Sequence, residues 1–179
     1  MKIAFTDGEM SNLAADYGQL LCACICEYAP KKPFYTNLRT FTLHDYKGKR
    51  WDDKQLAIEW KNALEEYDIV VTWNGVKFDI PFLNTRLQRW DEQEVRVARH
   101  KDLMYTARYK LKLSNAKLDT VARFFRSPDQ KSFLDPERWT MAMGGHKESY
   151  DYIIKHCKLD VAVLAWVWEK SKHLVNEIS

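Results

Sequence analysis

The sequence has no run of about 18 apolar residues, the length a membrane-spanning helix needs, so neither such a helix nor a membrane partner is expected. Its start, MKIAFTDGEM, carries acids where a signal peptide would have its apolar stretch. Export is therefore not expected, and a cytoplasmic location is (the host's cytoplasm if the source is a bacteriophage). Cysteine is scarce, at four residues, and three of them fall in one short stretch, LCACICEY. A C-x-C-x-C metal site would need a second ligand cluster at zinc-like spacing, and none follows. Alternation instead puts Cys22, Cys24 and Cys26 on one face of a strand, with Leu21, Ala23 and Ile25 on the other. Cysteine there acts as a small buried hydrophobe, and its use fits a reducing compartment. Internal repeats and low-complexity segments are also missing. Net charge is only +3.

What is present is a globular composition. Of 179 residues, 46% are apolar and 13% aromatic, which suits one domain over 1–179 with a sizeable core. The small net charge is unevenly spread. Arg96, Arg99, Lys101, Arg108, Lys110, Lys112 and Lys117 face a single acid, Asp102. Such a run is usually a solvated face, and it is also what a polyanion attracts.

Along the chain, 2–7 reads as a strand, SNLAADYG as a turn, QLLCACICEY as a second strand and PFYTNLRTFTL as a third. Residues 51–67 carry Leu56, Trp60, Ala63, Leu64 and Tyr67 at helical spacing, with Asp52 and Asp53 suiting the helix start. IVVTW, 69–73, is apolar enough to be a strand buried on both faces. FDIPFLNTRLQRW reads as a helix with Pro81 in its first turn. VRVARHKDL is a place for a fifth strand. From Met104 the pattern is helical, and SNAKLDTVARFF carries one apolar stripe. SPDQKSFLDPERW, with Pro128 and Pro136, reads as a loop, and a last helix is expected over about 150–175. An antiparallel start followed by crossover units predicts an α/β fold, a mixed sheet between helical layers, with ligands at strand carboxyl ends.

Three segments carry candidate chemistry. Asp7 and Glu9 lie two positions apart, so on a strand they share a face, with Cα atoms about 6.6 Å apart. Two anions held so close repel unless a cation intervenes, and hard oxygen ligands suit Mg²⁺ or Mn²⁺. A solvent face or a turn accounts for such a pair equally well. In VTWNGVKFDIPFL, a strand ends in Asn74–Gly75 and Asp79 precedes a helix, where an N-cap role is open to it. In YIIKHCKLDVAVL, His156 and Asp160 are four apart, one helical turn, beside an apolar run unusual for an exposed acid. A local His–Asp hydrogen bond is the plainer reading of that pair.

Taken in order, the three segments resemble the motifs of the DEDD (DnaQ-like) 3′–5′ exonucleases of the ribonuclease H-like superfamily. D-x-E is matched by Asp7-Gly8-Glu9, N-x3-[FY]-D by Asn74 to Phe78-Asp79, and the aspartate of the last motif by Asp160. KLDTVARFF is similar to the helix before that last motif. Members of the family divide into Y-x3-D and H-x4-D types. This chain has His156 at the tyrosine-type spacing, H-x3-D. Gly8 and Met10 also depart from the apolar residue and the threonine frequent there.

The resemblance implies a ribonuclease H-like three-layer fold, a mixed five-stranded sheet flanked by helices. It implies two divalent ions, Mg²⁺ or Mn²⁺, held by Asp7, Glu9, Asp79 and Asp160. His156 would be the general base or water-orienting group, and an imidazole, with its ordinary pKa of about 6.5, suits that work. Met10, Asn74 and Phe78 would contact the terminal nucleotide. The implied activity is two-metal hydrolysis of single-stranded DNA or RNA from a 3′ end, with the basic run receiving the backbone. A structure-selective endonuclease and a non-catalytic nucleic-acid-binding module of the same fold are the alternatives.

Overall fold

In a computed structural model, residues 1–46, 51–129 and 135–175 are described. Five strands form one sheet in the order β3-β2-β1-β4-β5. They are β1 (Ile3–Met10), β2 (Leu20–Tyr28), β3 (Tyr35–Thr42), β4 (Ile69–Thr72) and β5 (His100–Asp102). β1 to β3 form an antiparallel meander, while β4 and β5 join parallel to β1 through helical crossovers, so the sheet is mixed as predicted. Helices α1 (Lys54–Glu65) and α2 (Asp79–Arg89) cover one face, and α6 (Lys147–Ser171) lies across the other with α3 (Leu103–Lys110), α4 (Leu118–Phe124) and α5 (Pro136–Met143). The fold is ribonuclease H-like.

The alternation of β1 and β2 supplies both cores. Phe5, Cys22, Cys24 and Cys26 pack toward α6, around Val161, Leu164 and Trp168. Ala4, Ala23 and Ile25 pack toward Leu56, Trp60 and Leu83. All four cysteines are buried and free: Cys22, Cys24 and Cys26 on β2, as the strand reading expects, and Cys157 on α6. Leu21 breaks the expected alternation and joins the cysteine face. The register gives the reason. Met10 pairs with Leu20 and Glu9 with Cys22, so Leu21 is the extra residue of a bulge.

Three boundaries differ from the sequence reading. β1 continues to Met10, so Asp7 and Glu9 stand inside the strand rather than at its end; strand pairing with β2 carries it past the two acids. Part of the predicted loop 127–139 is helix α5. Proline is at home in a first turn, where its missing N–H has no partner to lose, and Asp135 caps the turn by accepting from the N–H groups of Glu137 and Arg138. Residues 130–134 of that loop lie outside the described residues. α6 starts at Lys147, earlier than predicted, because the His146 side chain accepts from the Ser149 N–H as its cap, and it ends at Ser171.

On the α1–α2 side a buried ion pair ties three segments together. Arg86 Nε and Nη2 donate to the two oxygens of Asp53 at 2.8 and 2.9 Å. Asp53 also accepts from the Leu20 N–H and Trp90 Nε1, and Arg86 Nη1 donates to the Ala15 carbonyl. Asp53 therefore does more than sit favourably at a helix start.

Candidate active site

The carboxyl halves of the three parallel strands and the middle of α6 meet at one place. Asp7 and Glu9 project from β1 on the α6 side, half-buried and buried respectively. Gly8 between them faces the other way, against α1. A Cβ built on Gly8 would stand 2.5 Å from the Trp60 ring, closer than such atoms approach. Trp60 is held there by its Nε1, which donates to Thr6 Oγ1. The glycine in D-x-E is thus fixed by packing, and an apolar side chain has no room.

Asp79 is not an N-cap. It is the first residue of α2, after Phe78, and its side chain turns to β1, where Oδ1 accepts the Gly8 N–H at 3.1 Å. Burial pushes its carboxyl up to about 7, and the charge of Asp102 adds to this, while the Gly8 N–H and its own N–H favour the carboxylate. α6 brings the remaining pair. His156 Nε2 lies 3.8 Å from an oxygen of Asp160, across one helical turn, and 4.0 Å from one of Glu9. His156 and Asp160 are both buried.

Asp7, Glu9 and Cys157 each offer a ligand atom within 4.8 Å of the others. The Cys157 thiol donates to the Asp7 carbonyl, and burial together with the thiols of Cys22 and Cys24 raises its pKa well above the usual value. With its proton engaged by that carbonyl, the thiol is a poorer ligand than the carboxylates beside it. The donors left are carboxylate oxygens, the chemistry of Mg²⁺ or Mn²⁺, and a divalent cation offsets the repulsion between them. The donor set fits a divalent ion.

Clefts on either side of these acids take up the other expected residues. One, of 450 Å³, is lined by Glu9, Met10 and Phe78 with Leu13 and Trp139. The other, of 330 Å³, is lined by Asp7, Asp160 and Asn74 with Trp73 and Lys117. The predicted site residues thus gather around one acid group, with Met10 and Phe78 on the Glu9 side and Asn74 on the Asp7 side.

Sequence reading missed Asp102. It is the N-cap of α3, accepting from Met104, and it also accepts the N–H groups of Asn74 and Val76 at 2.9 and 3.1 Å. Asn74 has a left-handed backbone, φ 67°, and this turn sets the direction in which the chain enters α2 and Asp79. Only its position as the lone acid among cations marked Asp102. Trp139 carries no signal in the sequence because its segment reads as a loop, whereas it belongs to α5 and lines the Glu9 cleft. The basic run does not form one face. Arg99 reaches Met1 at the amino ends of the parallel strands, whereas Lys117 lines the acid cleft, because β5 carries the chain across the sheet between them.

A mixed sheet with this strand order and an acid-lined cleft at its parallel strand ends define a ribonuclease H-like protein. The chain belongs to the RNase_H superfamily, whose model matches residues 5–171. No curated protein is a significant match in sequence. Among solved structures the chain is similar to the family B DNA polymerase from the hyperthermophilic archaeon Pyrobaculum calidifontis, with a TM-score of 0.72 and 16% identity. That likeness covers 96% of this chain and 24% of the polymerase, so the chain spans about a quarter of that protein's length. At such identity the similarity is one of fold. Superfamily and site together fit a nuclease. No helix among the described residues is long and apolar enough to cross a membrane.

Proposed function

We propose that this chain is a DEDD-type (DnaQ-like) 3′–5′ exonuclease that hydrolyses phosphodiester bonds at single-stranded DNA or RNA ends, within one domain over 1–179. The observation that carries the reading is the convergence of acids from distant segments: Glu9 and Asp160 flank His156, Asp7 lies beside Glu9 and shares a cleft with Asp160, and Asp79 is anchored on the residue between the first two acids. These four acids come from the first strand, a strand-to-helix junction and the last long helix, the order the family's motifs follow.

In this reading Asp7, Glu9, Asp79 and Asp160 would hold two divalent ions, Mg²⁺ or Mn²⁺. Bound there, such ions would supply the charge that activates water and stabilises the leaving oxygen of an in-line displacement. His156 orients the attacking water and takes its proton at Nε2, a role its place between Glu9 and Asp160 supports. Asn74 and the Met10 backbone position the terminal nucleotide and its 3′ hydroxyl. Phe78, beside Met10 in the larger cleft, packs on the sugar or base.

End-labelled single- and double-stranded DNA and RNA, incubated with Mg²⁺ or Mn²⁺, test this. Mononucleotides released from the 3′ end, and none in chelator, are expected. Cleavage of circular single strands would replace the reading with an endonuclease. Full turnover by Asp160→Ala would remove the site assignment, and an absence of Mn²⁺ binding in calorimetry would favour a non-catalytic binding module.

A further inference from the structure

On the far side of the Asn74–Val76 turn, the structure has a third cleft, of 320 Å³, lined by Val76, His100, Lys101, Tyr105, Tyr109 and Lys110 among others. Tyr105 and Tyr109 stand one turn apart on α3. Their rings are almost parallel, with an interplanar angle of 5° and centroids 6.4 Å apart. Tyr109 is 74% exposed, far more than packing explains for a side chain of that size. Lys77, from the turn itself, places its ammonium 6.0 Å from the centre of the Tyr105 ring. Lys101 and Lys110 line the same cleft. The carboxylate among its lining residues, Asp102, is buried and accepts three backbone N–H groups. The cleft therefore combines flat aromatic faces with cations.

We propose that this α3 face is a second binding site for single-stranded nucleic acid, gripping the strand away from the end that is cut. Exposed rings stack on unpaired bases regardless of sequence, and the lysines neutralise backbone phosphates. The site is continuous with the acid group through a single turn. Asn74 faces the Asp7–Asp160 cleft and Val76 the tyrosine cleft; Met104 and Tyr105 divide between the two in the same way. A strand leaving the acid site past this turn meets the tyrosines next. The choice of single-stranded nucleic acid as ligand rests on the proposed nuclease function, whereas binding itself is measurable without catalysis.

Fluorescence anisotropy of the full chain with a labelled 12-nucleotide oligothymidylate, in EDTA, tests it. Tyr109→Ala is expected to weaken binding about ten-fold and Tyr109→Phe to leave it near wild type, because the ring rather than the hydroxyl stacks. Lys77→Ala and Lys110→Ala should each lower the slope of log affinity against log salt by about 1. Three results would overturn the inference: wild-type affinity in Tyr109→Ala, no oligonucleotide binding by the wild type, or equal binding of a duplex with the same loss in Tyr109→Ala. A wild type that binds in this pattern but cleaves nothing in Mg²⁺ or Mn²⁺ would instead sink the exonuclease reading and leave this site standing.

Discussion

The Asp79 carboxylate is bonded to the backbone of Gly8, 71 positions earlier in the chain: Oδ1 accepts the N–H at 3.1 Å. One contact thus locks the start of α2 to the strand that carries the first two acids. The burial that comes with this position makes ionisation of the carboxyl costly, even though the Gly8 N–H favours the charged form.

That cost has a pH signature. The Asp79 carboxyl is pushed up to about 7, mainly by burial, against an ordinary aspartate value near 3.9 in the unfolded chain. Between these values the folded protein keeps a proton that the unfolded chain releases. Its contribution to stability is complete below about pH 4 and is lost as pH rises through about 7. In EDTA, urea unfolding of the wild type should therefore lose stability relative to Asp79→Asn across that window. Adding Mn²⁺ at pH 6 should release protons as the carboxyl ionises, which calorimetry in two buffers of different ionisation enthalpy reads directly.

The two members of the α6 pair should fail in different ways. His156→Ala removes a proton acceptor but no oxygen ligand, so kcat is expected to fall about 10²- to 10⁴-fold with Mn²⁺ affinity little changed. Asp160→Ala should lose metal affinity as well as turnover. Identical metal binding in the two variants would contradict the division of roles.

Asp102 is not one of the four site acids, yet it holds the turn that leads from Asn74 to Asp79, two expected site residues. Asp102→Ala strands the N–H groups of Asn74, Val76 and Met104 and removes the α3 cap. A stability loss of about 2–3 kcal/mol is expected in denaturant unfolding. At temperatures where the variant is still folded, KM for an oligonucleotide should rise, because Asn74 is no longer fixed.

The pair on the opposite face makes a purely structural prediction. Arg86→Ala leaves Asp53, which is fully buried, without its cation, and should cost about 3–5 kcal/mol. Asp53→Ala should cost at least as much, since the Leu20 N–H and Trp90 Nε1 lose their acceptor too. Parallel denaturation curves of the two variants decide this.

How much of this was legible beforehand follows the range of each interaction. Local periodicity located β4, α1, α2 and the helical stripe of α4, and the alternation in LCACICEY gave a buried strand with its cysteines on one face. Motif order singled out Asp7, Glu9, Asp79, His156 and Asp160 as candidates, and helical spacing alone sets His156 beside Asp160. Local pattern failed where a distant partner decides. Nothing near Asp53 announces Arg86, nothing near Asp102 announces the Asn74 turn, and the slip at Leu21 depends on register with β1. Pro136 looked like a breaker because its effect depends on whether it stands inside a helix or opens one. The basic run looked continuous because sequence proximity hides the sheet that separates Arg99 from Lys117.

Gly8 and Trp60 occupy what amounts to one shared volume, since an added methyl group at position 8 would run into the indole. Size at one position is therefore a function of size at the other. A larger residue between the two acids becomes admissible only when position 60 shrinks, and the hydrogen bond from the indole to Thr6 would disappear with it. The two substitutions should be strongly non-additive: Gly8→Ala alone disruptive, and partly rescued when Trp60 is replaced by a smaller apolar residue.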